Sequence, residues 1–437
     1  MSARAAAPTP AALAEAYRAL QPAGRLWVAY SGGPDSTVLL HLLHAAQLPL
    51  MAAHVNHRLQ PQAAAWAEQC RGACRALGIP IVIAEVDVDA RDEAGPEAAA
   101  RAARYQALRE CLRAGDVLAT AHHRDDQAET LLLRLLRGSG VAGLAAMRPL
   151  TPFAPGRLWR PLLEFPRAAL QEYARSHGLH GVSDPHNADA RYARVYLRTE
   201  ILPRLEARWP SATEALARSA RHAAEAQELL AECADTDLKK IADGQTLKIA
   251  PLKALPAARR RNALRRWFER AGAETPPSAT LDRLETEVLA ARRAANPVLA
   301  CGERELRRYR ERLFLLPRLP GVPEGYAQAW ADRAELDLPT GAGRLIARKS
   351  PPWALEVRFA SGGEKLRPGG GRTRELRKLF QEAGWPPWLR ERTPLLWLNG
   401  ELVAVADRWL DAGFRRKARA AGFSYRWESG TAGVPED

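Results

Sequence analysis

The sequence has few of the features that mark secreted, membrane or metal-cluster proteins. It contains 5 cysteines in 437 residues, and no two of them form a Cys-x-x-Cys pair. An odd, irregularly spaced set argues against a disulfide framework and for a reducing compartment. No apolar run approaches the ~20 residues that a membrane-spanning helix needs, and residues 1–10 have no apolar core like that of a signal peptide. We therefore expect a cytoplasmic protein that contacts no membrane.

Acidic residues are too few to balance the basic ones. The chain has 64 Lys and Arg against 50 Asp and Glu, which gives a net charge of +14 and a pI of about 10.0. Such a balance has two interpretations, an arginine-rich surface without a specific partner or a polyanionic partner such as nucleic acid. Charge alone does not choose between them.

The length predicts two or three domains, because 437 residues exceed one ordinary hydrophobic core. Residues 1–210 begin with short apolar runs that alternate with helical patterns. Such alternation is typical of an α/β fold with a parallel, doubly wound sheet. We assign strands to residues 26–30, 51–55, 81–86 and 116–120, with helices at 37–46, 62–77, 97–114 and 125–136.

Two smaller domains are predicted after this sheet. Residues 211–320 carry Ala, Glu, Arg and Leu at helical spacing and predict a small helical domain. Residues 335–437 contain short apolar runs on both sides of Asn399-Gly400. An Asn-Gly pair between such runs predicts a β-hairpin, so this last domain is predicted to be α+β.

The segment after the first strand is suited to holding a phosphate. Its glycines allow a tight turn with inward-pointing N–H groups, its serines add hydroxyl donors, and a helix N-terminus follows. It is not the P-loop of kinases, because it has no GxxxxGK[ST] pattern. A carboxylate there repels phosphate unless Mg²⁺ lies between them. A glycine-rich turn whose polar residues merely cap the helix is the structural alternative. The segment is Ser31, Gly32, Gly33, Pro34, Asp35 and Ser36.

A second polar run, residues 122–130, directly follows the fourth predicted strand. Asp125 and Asp126 lie four and three residues before Glu129, so either pair shares one face of a helix. Acids in a first turn also serve as ordinary partners of the helix dipole. His122 and His123 precede them and favour a phosphate or metal site over that alternative.

Further polar residues point toward the same cleft. His54 lies at the end of the second strand, and Arg104 lies on the helix before the fourth strand. Arg194 and Arg198 are four residues apart, so they share a helical face that suits a polyphosphate or a nucleic-acid backbone.

Taken together, these motifs resemble a known enzyme family. The Ser-Gly-Gly-Pro-Asp-Ser loop resembles the PP-loop of the ATP pyrophosphatases. In combination with residues 54–57, 122–130 and 191–198, the chain resembles the tRNA(Ile)-lysidine synthases. The similarity continues beyond the sheet, since residues 362–368, 376–379, 386–388 and 395–405 resemble that family's C-terminal domain.

The resemblance implies an activity, a set of substrates and a cofactor. It implies that ATP is cleaved at its α-phosphate to adenylate the wobble cytidine of tRNA(Ile) with a CAU anticodon. Pyrophosphate leaves in this first step, and free L-lysine then displaces AMP. The cofactors implied are ATP and Mg²⁺, and the basic middle and C-terminal domains would contact tRNA phosphates. A homodimer is compatible with this picture.

The resemblance also implies roles for individual residues. ATP would contact the loop from Ser31 to Ser36, together with His54 and Arg104, and Asp35 would hold Mg²⁺. Lysine would bind near three acids, and the tRNA near two arginines. The residues implied are Asp125, Asp126 and Glu129 for lysine, Arg194 and Arg198 for tRNA, and Asp35, Asp126, Glu129, His122 and Arg104 for catalysis.

Three other functions use a similar loop or composition. A tRNA-thiolating enzyme would need reactive or cluster-binding cysteines, and no Cys-x-x-Cys occurs near the site. A small-molecule amidating synthetase would have little use for a net charge of +14. An RNA-binding protein with an inactive ATP fold would not need the acids at Asp35, Asp126 and Glu129.

Overall fold

The computed structural model describes residues 7–58, 62–87, 96–182, 191–292 and 295–430, with the side chains of residues 96–98 left out. The chain forms two compact units, the first ending at Leu230 and the second beginning at Ala231. Within the described ranges, no helix has the length and apolar character needed to cross a membrane.

The first unit alternates helices and strands, as predicted. Between α8 and α9 the chain forms a π-helical stretch over Leu197–Ile201. The helices and strands are α1 (Pro10–Ala19), β1 (Leu26–Ala29), α2 (Pro34–Ala45), β2 (Leu50–Asn56), α3 (Ala63–Ala76), β3 (Ile81–Glu85), α4 (Pro96–Cys111), β4 (Val117–Ala119), α5 (Arg124–Leu136), α6 (Val141–Leu144), β5 (Leu150–Phe153), β6 (Gly156–Trp159), α7 (Arg167–Ser176), α8 (Ala193–Tyr196) and α9 (Leu202–Arg208).

One six-stranded sheet forms the centre of this unit, in the order β3-β2-β1-β4-β6-β5. All neighbouring strands are parallel except β5 and β6. Successive side chains of a strand point to opposite faces, so Val28 is buried in one hydrophobic core and Trp27 in another. The predicted parallel sheet with helices on both faces is therefore confirmed.

The strand order creates a crevice at the centre of the sheet. From β1 the chain moves outward to β2 and β3, and it then returns to place β4 on the other side of β1. Ligands of open parallel sheets bind at such a reversal, outside the carboxyl ends of the strands. The segments after β1 and β4 are the predicted phosphate loop and the acidic run.

The middle segment is helical over much of its described length, as predicted, but it also contains a five-stranded antiparallel sheet that was not predicted. The sheet order is β7-β8-β11-β10-β9. Arg308 occupies a buried position of β10, where the alternating pattern of a strand would predict an apolar residue. Its guanidinium can be buried there because it donates to the backbone carbonyls of Val288, Leu289 and Ala291. The elements are α10 (Ala212–Ile241), β7 (Ala242–Asp243), β8 (Thr246–Lys248), α11 (Ile249–Ala254), α12 (Ala257–Arg270), α13 (Ser278–Arg283), β9 (Val298–Cys301), β10 (Arg304–Tyr309) and β11 (Arg312–Pro317), with a π-helical stretch at Leu284–Leu289.

The C-terminal segment is α+β, as predicted, and its core holds the buried tryptophans Trp330, Trp385 and Trp388. Asn399 and Gly400 adopt φ values of 53° and 82° between two antiparallel strands, which confirms the predicted hairpin. The elements are β12 (Ala327–Trp330), β13 (Glu335–Asp337), β14 (Arg344–Ala347), β15 (Leu355–Arg358), β16 (Lys365–Leu366), β17 (Arg374–Glu375), α14 (Leu376–Glu382), α15 (Pro387–Arg390), β18 (Leu395–Leu398), β19 (Glu401–Val405), β20 (Trp409–Leu410), α16 (Ala412–Ala420) and β21 (Tyr425–Glu428), with a short 3-10 turn at Pro339–Gly341.

Candidate active site

The predicted phosphate loop lies between β1 and α2 in a defined conformation. Helix α2 begins at Pro34, three residues earlier than predicted, because proline suits the first helical position. Gly32 has a φ of 82°, and a Cβ there would lie 2.8 Å from the Cys70 sulfur. The hydroxyls of Ser31 and Ser36 lie 3.0 Å apart, and Ser36 also donates to the Gly33 carbonyl at 2.9 Å. Contacts of its own hydroxyl and backbone groups therefore hold the loop in this conformation.

A segment after α7 that contains no predicted site residue supports this loop. The backbone N–H of Val182 donates to the Gly32 carbonyl at 2.8 Å. Gly181 packs so closely that a Cβ would lie 2.5 Å from the Pro34 nitrogen. No sequence motif marks this contact, since it joins residues about 150 positions apart.

The acidic run lies at the start of α5, and His123 joins it to the phosphate loop. His123 is the N-cap of α5, and its N–H donates to Asp126 Oδ2 at 3.0 Å. Its ring is buried, with Nε2 3.6 Å from Asp35 Oδ2 and 3.4 Å from Asp126 Oδ2. Nδ1 lies 3.7 Å from Asp125 Oδ2. One imidazole therefore contacts both motifs; it was predicted only as one of two histidines near a phosphate or metal, and its contacts here are with carboxylates.

These carboxylates control the charge of His123. Burial by itself lowers the pKa of the ring, but Asp125, Asp35 and Asp126 outweigh it and raise the pKa to about 10. The protonated ring has an N–H at both nitrogens, so the 3.4 Å approach of the Asp126 amide to Nδ1 does not act as a hydrogen bond. Burial raises the pKa of Asp35, yet His123, Arg167 and Arg198 bring it below its usual value.

The three predicted lysine-binding acids have different surroundings. Asp126 faces the cavity described below, with Oδ1 3.1 Å from Arg198 Nη2. Glu129 is 0% exposed and accepts two bonds from Arg198, at 2.7 and 3.1 Å. Burial raises the pKa of Glu129, although Arg198 opposes the shift. Asp125 instead accepts the backbone N–H of Arg167 at 2.9 Å.

The two predicted tRNA-binding arginines reach the same helix. Arg194 lies on α8 and Arg198 in the π-helical stretch that follows it. Arg194 donates to the hydroxyl of Thr130 at 3.1 Å, and its Nη1 lies 3.9 Å from Glu129 Oε2. The predicted four-residue spacing thus brings both guanidinium groups to the acidic face of α5.

A cavity of about 590 Å³ opens at the carboxyl ends of β1, β2 and β4. Of the predicted site residues, Gly32, Asp125, Glu129 and Arg194 are not part of its lining. Several lining residues had no predicted role. The predicted residues that line it are Ser31, Gly33, Pro34, Asp35, Ser36, His54, Arg104, His122, Asp126 and Arg198, and the unpredicted ones include Asn56, His57, Trp66, Tyr105 and Arg167.

The predicted histidines of the cavity are electrically neutral. Burial lowers the pKa of His54, whose Nδ1 lies 2.9 Å from the Tyr30 carbonyl. Burial and then the nearby arginines, Arg160 first among them, hold the pKa of His122 well below its ordinary value. Thr120 fixes the His122 ring through a 2.8 Å contact to Nδ1. These rings offer hydrogen bonds to a ligand without adding charge.

The site suits a magnesium ion that arrives with a nucleotide. The described residues contain no group of three or more His, Cys, Asp and Glu side chains able to hold a metal. Mg²⁺ typically binds one or two carboxylates and completes its shell with waters and substrate phosphates. Asp35 offers such a carboxylate beside the phosphate loop.

Comparison with known proteins agrees with this geometry. The PP-loop domain model matches residues 8–205, so the first unit is a PP-loop ATP-utilising domain. The TilS substrate binding domain matches residues 247–314, and the TilS substrate C-terminal domain matches residues 355–427.

Curated relatives extend the match along almost the whole chain. The tRNA(Ile)-lysidine synthase of Methylococcus capsulatus is 40% identical over 433 residues, covering 94% of this chain and 98% of that protein. The enzyme of the same name from Alkalilimnicola ehrlichii is 44% identical, covering 91% of this chain and 93% of that protein. The chain therefore belongs to the tRNA(Ile)-lysidine synthase family. A solved U34-tRNA thiolase from Methanococcus maripaludis aligns at 20% identity over 46% of this chain and 72% of that chain, with a TM-score of 0.39, too low to support an inference.

Proposed function

We propose that this protein uses ATP to attach L-lysine to the wobble cytidine of tRNA(Ile) with a CAU anticodon, forming lysidine. The observation that carries the proposal is the meeting of the phosphate loop and Asp126, an acid in the first turn of α5, in one cavity. Family membership along 94% of the chain supports the substrate assignment. A tRNA substrate also supports a cytoplasmic location.

The first step is adenylation of the cytidine. The carbonyl oxygen of the base attacks the α-phosphate, a new P–O bond forms, and the bond to pyrophosphate breaks. The charge of the departing pyrophosphate needs donors placed in advance. The hydroxyl of Ser31 and the N–H groups of Asp35 and Ser36, in the first turn of α2, would supply them; Pro34 has no N–H, and Ser36 Oγ already donates to the Gly33 carbonyl.

The second step is substitution by lysine. The lysine amine forms a C–N bond at the activated ring carbon, and the C–O bond to AMP breaks. Adenylation is needed because a carbonyl oxygen is a poor leaving group and AMP is a good one. The attacking amine loses a proton, which a nearby carboxylate accepts.

We assign the three acids to different tasks. Asp126 lines the cavity and is the acid that pairs with the lysine amine and accepts its proton. Glu129 is buried against Arg198 and fixes that guanidinium. Asp125 accepts a hydrogen bond from the Arg167 backbone N–H at the start of α7, and we assign it the task of holding α5 and α7 together beside the lysine site.

The remaining cavity residues contact the nucleotide and the tRNA. Arg104, His54 and His122 line the same cavity as the phosphate loop, and we assign them to contacts with ATP or the developing AMP. Arg198 neutralises phosphate charge at the cavity, and Arg194 extends the basic surface toward the tRNA. Asp35 would hold Mg²⁺, which when bound offsets the negative charge of the departing pyrophosphate.

The cysteines give little support to a thiolation reaction. Burial raises the pKa of Cys70 to about 12 and that of Cys74 to about 11, so both remain protonated near neutral pH. Sulfur transfer requires a thiolate. These are the cysteines next to the loop, because Cys70 packs against Gly32.

The test is a reaction of the purified protein with ATP, Mg²⁺, L-lysine and the CAU-anticodon tRNA(Ile). Nucleoside mass spectrometry should find lysidine at the wobble position, with one AMP and one pyrophosphate formed per modified tRNA. The matched control is methionine tRNA, which has the same anticodon and should stay unmodified. Modification without lysine, or sulfur in the product, would contradict the proposal.

A further inference from the structure

Arg167 is a cavity residue to which neither of the recognised motifs assigns a role. It is the first residue of α7 and lines the cavity together with Asp35, Asp126 and Arg198. Its Nε is shielded from solvent and has no hydrogen-bond partner among the described residues. The Arg167 side chain therefore lines the cavity with a guanidinium whose buried Nε–H has no partner among the described residues, and its remaining N–H groups can donate to a ligand that accepts hydrogen bonds.

The backbone around Arg167 is fixed by both ends of the active site. The Arg124 N–H donates to the Phe165 carbonyl at 2.9 Å, and the Arg167 N–H donates to Asp125 Oδ2 at 2.9 Å. Both bonds attach the start of α7 to the first turn of α5. After α7, Val182 is bonded to the phosphate loop. The backbone from which the Arg167 side chain projects is therefore held in place at the edge of the cavity.

The other arginines of the cavity differ in their pairing. Arg198 is bonded to Asp126 and Glu129, and Arg58 is bonded to Glu85. Within the described part of the chain, no ion pair of the Arg167 side chain is found. Its positive charge also contributes to the lowered pKa of Asp35, which indicates that the guanidinium lies near the phosphate loop.

We propose that Arg167 is a substrate-binding residue that contacts the phosphates of ATP that leave as pyrophosphate. Planar guanidinium groups bind phosphate oxygens through paired hydrogen bonds. The carboxylate of lysine is an oxyanion of similar chemistry, but the nearness of Arg167 to the loop favours the phosphates. The inference rests on the proposed function, because it takes ATP as the ligand.

The test compares three variants in the full-length protein. Arg167→Ala should raise the KM for ATP and weaken product inhibition by pyrophosphate, each by about 10- to 100-fold, as expected for a lost bond to a charged group. Arg167→Lys should restore part of this effect, since it keeps the charge and loses the paired geometry. Arg175→Ala is the matched control, because Arg175 is an exposed arginine of the same helix paired with Glu172.

The readouts separate the alternatives. Isothermal titration with pyrophosphate and Mg²⁺ should show weaker binding to Arg167→Ala than to Arg175→Ala, while circular dichroism shows both folded. A shift in the KM for lysine alone, or unchanged pyrophosphate binding and ATP KM in Arg167→Ala, would overturn the assignment. Failure of the unmodified protein to make lysidine while it binds pyrophosphate would instead reject the proposed function and leave the Arg167 contact standing.

Discussion

The charge on His123 gives a quantitative prediction about folding stability and pH. An unperturbed histidine has a pKa of about 6.5, whereas His123 in the folded protein has a pKa raised to about 10 by its carboxylate neighbours. A raised pKa contributes stability that is complete below the unfolded value and is lost as the pH rises toward the folded value. Between these values the folded ring keeps a proton that the unfolded chain lacks.

The expected size follows from that one proton. Folding stability should fall by about 1.4 kcal/mol for each pH unit between the two pKa values. Across a span of about two pH units above neutrality, His123 therefore contributes a loss of roughly 2–3 kcal/mol. The variant His123→Asn should lack this contribution, while asparagine remains a good N-cap for α5.

The measurement is urea denaturation at several pH values without Mg²⁺, followed by tryptophan fluorescence. The quantity compared is the difference between variant and unmodified protein, because other titrating groups then cancel. His41→Asn is the control, since burial, with His177 and His44, lowers the pKa of His41. His41 is thus unprotonated in both states above neutrality, and its variant should keep the original slope. An equal slope for His123→Asn would refute the charged imidazole.

Three further outcomes are expected. Gly32→Ala should abolish ATP binding and lower the free energy of unfolding by about 1–3 kcal/mol, because a φ of 82° is strained for alanine and the new Cβ would lie against the Cys70 sulfur. The control is Gly72→Ala on α3, where a Cβ meets nothing within 4 Å. That variant should raise the free energy of unfolding by about 0.5–1 kcal/mol. Calorimetry and ATP titration would distinguish the two. Glu129→Gln should destabilise the first unit by about 1.5–3 kcal/mol, because Arg198 loses a charged partner. A variant as stable as the unmodified protein would argue against a stabilising Glu129–Arg198 ion pair. Asp35→Ala should abolish pyrophosphate release while filter binding of tRNA stays nearly unchanged; equal loss of both would indicate a structural role.

The strands and the hairpin were predictable because their signals are local. Buried parallel strands form continuous apolar runs, and Asn399-Gly400 adopts the positive φ values that a two-residue turn requires. The sheet of the middle segment was missed for a physical reason. Arg308 is buried in β10 through bonds to three carbonyls, so the polar residue at a core position breaks the expected pattern.

By itself, the sequence determined the two motifs at the ends of β1 and β4, since glycine turns, helix starts and acid spacing are properties of neighbouring residues. Tertiary structure decided what those motifs do to each other. It placed His123 among three carboxylates, separated Asp126 from the buried Glu129, and brought Arg167 into the cavity. The protonation states of these side chains depend on burial and on contacts between distant segments, and the spacing of residues within a motif predicts neither.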